Sequence, residues 1–213
     1  MTRKPKRASG KAGQVYWAKQ LRFDMEYIKA RVLEDGGMPP TFIVHTPANI
    51  IPVLTNFDDK ERDRSLVSLV CVAHAAIGVT FMGEAWIKNI WGQPEARQRP
   101  GESWQQWEQR IGVPSQSETR VEVVIVQSTF YDDDTGDKAG MAEMREILRN
   151  AAGKAIGFGE PISHQHSEDS DKQIVGPTFN ILPERRASPA DQELAKEAMR
   201  VLGIIATPLG SRA

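Results

Sequence analysis

The chain has 213 residues, 40% of them apolar and 26% charged, with a formal net charge of −1. A chain of this size favours one domain, buries about 70% of the surface its unfolded form would expose, and needs no disulfide or metal to hold a core. The near-neutral balance removes any global pull toward nucleic acid or membrane, and the lone cysteine, Cys71, excludes an intrachain disulfide and fits a reducing cytoplasm.

Residues 1–13 carry Arg3, Lys4, Lys6, Arg7 and Lys11 and no acid. They have no apolar period, so they read as a disordered basic tail, able to contact phosphates but more often solvated. No apolar stretch follows, which argues against a secretory signal. From Gln14 to Glu34, Val15, Ala18, Leu21, Met25, Ile28 and Val32 recur at three- and four-residue steps. That spacing predicts an amphipathic helix, ended by Gly36-Gly37. Pro39-Pro40 forces extended chain into a strand over 41–46. A turn at Pro47-Ala48-Asn49 leads to a second strand over 50–55, and Pro52, lacking an N–H, places it at a sheet edge.

Asp58 and Glu61 have the spacing of a helix-start pair. The helix should run to about Ile77, burying Leu66, Leu69, Val70, Ala73 and Ile77, with Gly78 as its stop. Residues 79–88 then alternate as a strand: Val79, Phe81, Gly83, Ala85 and Ile87 face one way, Thr80, Met82, Glu84, Trp86 and Lys88 the other. The uncharged run 65–83 is marginal in length for a bilayer. It contains Ser68, His74 and Thr80 and changes period at Gly78, so it reads as soluble core and not as a membrane span.

Residues 89–118 interrupt the pattern with Gly92, Pro94, Pro100, Gly101, Gly112 and Pro114. Within this insertion a short helix over 102–111 sets Trp104, Trp107 and Ile111 on one face. A Val/Ile strand over 119–131 closes with the turn 132–137. Residues 142–149 fit either a helix or a strand; a hairpin turn at 150–153 leading to a strand over 154–158 favours strand, and 163–177 read as a polar, mobile loop. Ser188, Pro189 and Asp191 open a last helix that Gly203 stops. Strands in tight succession pair antiparallel. The expectation is therefore a single α+β domain over 14–207, two-layered, with a mainly antiparallel sheet covered on one face by helices, and a flexible C terminus at 208–213.

Glu84 stands alone among apolar neighbours on the central strand, and Arg120 and Glu122 share a face of the next. If those strands pair, two carboxylates and an arginine gather, the donor set of metal-assisted hydrolysis. The plainer reading is a cross-strand ion pair between Arg120 and Glu84. Lys88 lies about 13 Å beyond Glu84 along a strand, too far to share one metal with it. Trp104 and Trp107 are joined within twenty residues by Trp91, Arg97, Arg99 and Arg110, the composition of a protein hot spot or a base-stacking platform, although aromatics on one helix face are commonly core; Trp86 is a further binding candidate. The Asp132–Asp137 turn lacks glycine at the sixth position of a calcium loop and reads as a solvated hairpin turn. Cys71 and His74 read as core packing, and His164 and His166 as loop residues without a third ligand. No glycine-rich phosphate loop, catalytic triad order or zinc motif occurs, and no cofactor or metal is implied.

Gly83-Glu84-Ala85-Trp86 in a strand after a helix, then Arg120-Val121-Glu122-Val123 opening the next strand, resemble a set of small prokaryotic and phage proteins in which a Glu-Ala-Trp strand precedes an Arg-x-Glu strand. The resemblance spans residues 41–149. No activity attaches to that set, so it implies only where to look: Glu84, Trp86, Arg120 and Glu122. The function expected is a non-enzymatic binding or assembly protein, bacterial or phage-borne. Its expected contact is a protein partner or self-association, ahead of nucleic acid. The alternative is a divalent-metal-dependent hydrolase using Glu84 and Glu122, with nucleic acid reached by the tail.

Overall fold

The computed structural model describes residues 10–55, 58–88, 99–112, 120–133, 135–162 and 181–206. Four helices, α1 (Gly10–Asp35), α2 (Lys60–Ala73), α3 (Trp104–Ile111) and α4 (Pro189–Val201), accompany six strands: β1 (Thr41–His45), β2 (Ile50–Leu54), β3 (Gly78–Lys88), β4 (Arg120–Tyr131), β5 (Lys138–Arg149) and β6 (Ala155–Pro161). The strands form one sheet in the order β2-β1-β3-β4-β5-β6, every neighbour antiparallel. This is an α+β fold, with Pro52 on an edge strand and the helical insertion between β3 and β4. Among the described residues no helix is long and apolar enough to cross a membrane.

The helices do not share one face, as expected, but divide between two. Residues paired across a sheet project to the same side. Phe42 opposes Phe81, and both belong to a cluster with Val67, Val70 and Met199 from α2 and α4. Met82 opposes Val126, and both belong to a cluster with Leu21, Met25, Ile28 and Val32 from α1. The sheet is apolar on both sides, so a single helical layer would leave one side wet. Three layers result where two were expected.

Helix α1 starts at Gly10, so residues 10–13, assigned to the tail from sequence, are helical. Lys11 and Ala12 favour helix and extend one already nucleated downstream. Residues 1–9 lie outside the described residues. Val15, expected in the core, is 53% exposed, and Trp17 takes its place at 4%. Trp17 stacks on Phe130 with centroids 4.8 Å apart and meets His45 edge-on at 4.9 Å.

Helix α2 stops at Ala73, earlier than expected, with His74 as its cap and Ala75 at φ +50°. Gly78 is not the stop; it is the first residue of β3. A Cβ there would come within 2.3 Å of Trp17 Cη2, so its missing side chain makes room for the indole. Helix α4 is capped as its sequence implies, Ser188 and Asp191 exchanging side-chain to backbone hydrogen bonds with Pro189 in the first turn.

Candidate binding site at one end of the central strands

Strands β3 and β4 pair along their length, with Trp86 opposite Glu122 and Glu84 opposite Val124. Glu84, Trp86, Arg120 and Glu122 therefore share the face that α1 covers. They stand at the end where α1 has already stopped at Asp35 and the chain crosses back toward β1. That crossing is tied down by Glu84, whose Oε1 accepts the Met38 N–H at 2.7 Å. A side chain on Gly37 would lie 2.9 Å from the same oxygen, so a larger residue there would push the Glu84 carboxylate aside.

The arginine that answers the two carboxylates is not Arg120 but Arg149, from the end of β5. Its Nε and Nη2 donate to Glu122 at 2.6 and 2.7 Å, a two-pronged pair. Nη2 also reaches Glu84 Oε2 at 3.5 Å, and Nη1 donates to the Gly153 carbonyl at 3.1 Å. The Glu122 hydrogen bonds, and more weakly the charges of Glu122 and Glu84, shift the Arg149 pKa upward. The side chains of Arg149, Glu84 and Glu122 are 24%, 21% and 19% exposed, partly desolvated but not sealed.

Arg120 instead lays its guanidinium over the Trp86 ring, 4.7 Å from the centroid. It opposes Lys88 in the register, too far along the strand to face Glu84 directly, which explains the exchange of partners. Trp86 remains 43% exposed.

Chemically, the cluster is a carboxylate, a guanidinium and a second carboxylate in series, with a cation-backed indole beside it. Arg149 neutralises both carboxylates, so a metal or a proton bound there would have to displace it, and no group of three or more metal-binding side chains occurs among the described residues.

The other expected binding residues are divided. Arg97, like Trp91, lies outside the described residues, as does the Trp104 side chain, although Trp104 opens α3. Trp107 is partly buried on α3, and Arg99 is exposed. Arg110 makes a two-pronged pair with Glu102, at 2.7 and 2.9 Å, and the Arg99 N–H donates to the same carboxylate. The Arg110 hydrogen bond, then that N–H, hold Glu102 down to about 2. Ser103 and Gln106 cap α3 reciprocally.

The Asp132–Asp137 segment is a hairpin turn: the Asp132 N–H donates to the Asp137 carbonyl and Asp132 Oδ1 accepts the Thr135 N–H, while Glu143 is paired with Arg145. Cys71 is buried, and burial pushes its thiol up to about 12, far from a reactive thiolate. His164 and His166 lie outside the described residues.

Sequence reasoning missed a polar row beneath α1. His45 Nε2 lies 3.0 Å from Thr80 Oγ1, which lies 2.9 Å from Ser128 Oγ; all three are at most 1% exposed, so no substrate reaches the hydroxyls. Burial lowers His45 to about 4 and keeps it neutral. Asp24 on α1 is also buried; Gln20 serves one of its oxygens and Oδ2 has no partner, and burial raises it to about 6. A separate open groove of about 610 Å³ runs between α2 and α4, lined by Leu69, Val72, Leu194 and Ala198.

Fold and site together define an α+β protein whose sheet carries helices on both faces and a charged aromatic cluster where one helical cover ends. No protein-family model, curated protein or solved structure matches the chain.

Proposed function

We propose that this chain is a non-enzymatic binding or assembly protein, bacterial or phage-borne and working in the cytoplasm, that meets a protein partner at the Trp86–Arg120 end of its sheet. The reading rests on one observation: Arg149 engages both carboxylates of the cluster, while Trp86 beside them keeps 43% of its surface open under the Arg120 guanidinium. Tryptophan and arginine lead the residues that dominate interface energies, and a ring already braced by its cation loses little freedom when a partner closes over it. Trp107 and Arg99 of the insertion are further candidates for contact with a partner. The test is cross-linking in the native host. A Trp86→Ala/Arg120→Ala variant with unchanged circular dichroism should lose a partner that the wild-type chain captures. Identical captures by both would end the proposal.

The hydrolase reading has its own support, because Glu84 and Glu122 converge on one guanidinium. A divalent cation displacing Arg149 would gather the two carboxylates for metal-assisted hydrolysis. It expects heat on titration with millimolar Mg²⁺ or Mn²⁺ that disappears in Glu84→Gln/Glu122→Gln; a flat isotherm for the wild-type chain removes it.

A further inference from the structure

Helix α1 carries a second apolar strip beside its core stripe. Trp17, Leu21, Met25, Ile28 and Val32 enter the core, yet Tyr16, Phe23 and Tyr27 are 47%, 68% and 47% exposed. At about 100° per residue the second set centres roughly 140° around the helix from the core stripe, on a flank open to solvent. With half-buried Gln20 and with exposed Ala30 and Glu34 it forms a seam over residues 16–34 at alternating three- and four-residue steps, the spacing by which one helix lies against another. Among the described residues α1 is the one helix packed on this face of the sheet, so the seam stands clear of the other helices.

We infer that the outer seam of α1 pairs, antiparallel, with the same seam of a second copy of this chain. The charges select that occupant. In the antiparallel register that sets Tyr16 opposite the second copy's Tyr27, and Phe23 opposite its Gln20, Lys19 and the second copy's Glu26 become flanking neighbours at both ends of the contact, where Lys19 joins the exposed Glu26–Lys29 pair. The pattern is therefore self-complementary, as a two-fold interface requires. Six half-exposed rings, each with about 150–250 Å² to hide in full, and the stems flanking them bring the contact to roughly 1,000 Å². That is the scale of a reversible dimer and not of an obligate one. The surface lies on α1 and is independent of the Trp86–Arg120 contact.

Sedimentation of the full chain from about 1 to about 200 μM tests this, since a contact of this size should show micromolar self-association. A monomer–dimer equilibrium is expected, with Phe23→Glu weakening it at least about tenfold at unchanged circular dichroism and melting temperature. Lys19→Glu alone should weaken it about threefold to tenfold, and Lys19→Glu/Glu26→Lys should restore it. A chain monomeric throughout overturns the inference. So does a dimer indifferent to Phe23→Glu, or one that the double swap fails to restore.

Discussion

Two tryptophans lie against the same face of the β3–β4 pair, at opposite ends, and differ in almost everything else. Trp17 is 4% exposed and sits over Gly78 and Phe130, where every nearby polar group is neutral and buried: His45, Thr80 and Ser128. Trp86 is 43% exposed and stands among Arg120, Glu122, Glu84 and Arg149, all partly wet. The strands are the same; only the cover differs. Where α1 lies on the sheet, polar side chains on β3 and β4 are structural. Where α1 has ended, the same alternation presents charge to solvent. A carboxylate on a central strand is thus no sign of chemistry until the length of the helix above it is known.

The contrast can be broken most forcefully at the covered end. Trp17→Ala should cost about 3–5 kcal/mol in urea denaturation, by removing a buried ring and leaving a cavity. Gly78→Ala should cost about 1–3 kcal/mol, because the new methyl overlaps the indole it replaces no part of.

Asp24 sharpens the comparison through pH. Its folded pKa, about 6, lies above its ordinary 3.8, so the buried charge is a full penalty above pH 6 and is relieved as pH falls toward 3.8. Asp24→Asn should therefore raise stability by about 2–3 kcal/mol at pH 7–8, a gain that fades below pH 4. His45 has the opposite sign. Its folded pKa, about 4, lies below its ordinary 6.5, so acidification from 6.5 toward 4 destabilises the native chain. In the wild-type protein the two slopes largely cancel between pH 6 and 4. Thermal melts of Asp24→Asn should expose the His45 slope, joined by one of the same sign from His74, whose pKa burial and then Lys196 also lower, and a flat profile over that range would contradict the assignment.

At the open end the effects shrink. Arg149→Met should cost about 1–2 kcal/mol by leaving two partly buried carboxylates without their cation, and Glu84→Gln/Glu122→Gln added to it should recover most of that loss. Trp86→Ala should change stability by no more than about 0.5 kcal/mol, the mark of a ring kept for something other than folding.

Much of the fold was legible because it rests on local signals. Alternation over 79–88, prolines around β1 and β2, and the Ser188–Asp191 cap each act within a few residues of themselves. What was not legible depends on distance. The division of helices between two faces follows from which strands are adjacent, and the apolar residues of β3 on both of its sides were its one local trace. Val15 and Trp17 are both apolar and two positions apart, so the helical period alone could not choose between them; the room above Gly78 does. In the site, Glu84 and Glu122 could be placed from the sequence, since consecutive strands usually pair. Arg149 could not, because its role depends on the β4–β5 register and on a turn that brings Gly153 within reach. Arg120 was assigned to Glu84 by nearness in sequence pattern, and the register sends it to Trp86.

Cys71, buried among Val67, Val70 and Phe81 with its thiol pushed up to about 12, is the chain's single sulfhydryl. A maleimide can reach it only through an excursion that lifts α2 and α4 from the sheet. The rate of alkylation under native conditions is accordingly a clock for that one layer, running independently of whatever fraying or docking occurs on the opposite side beneath α1.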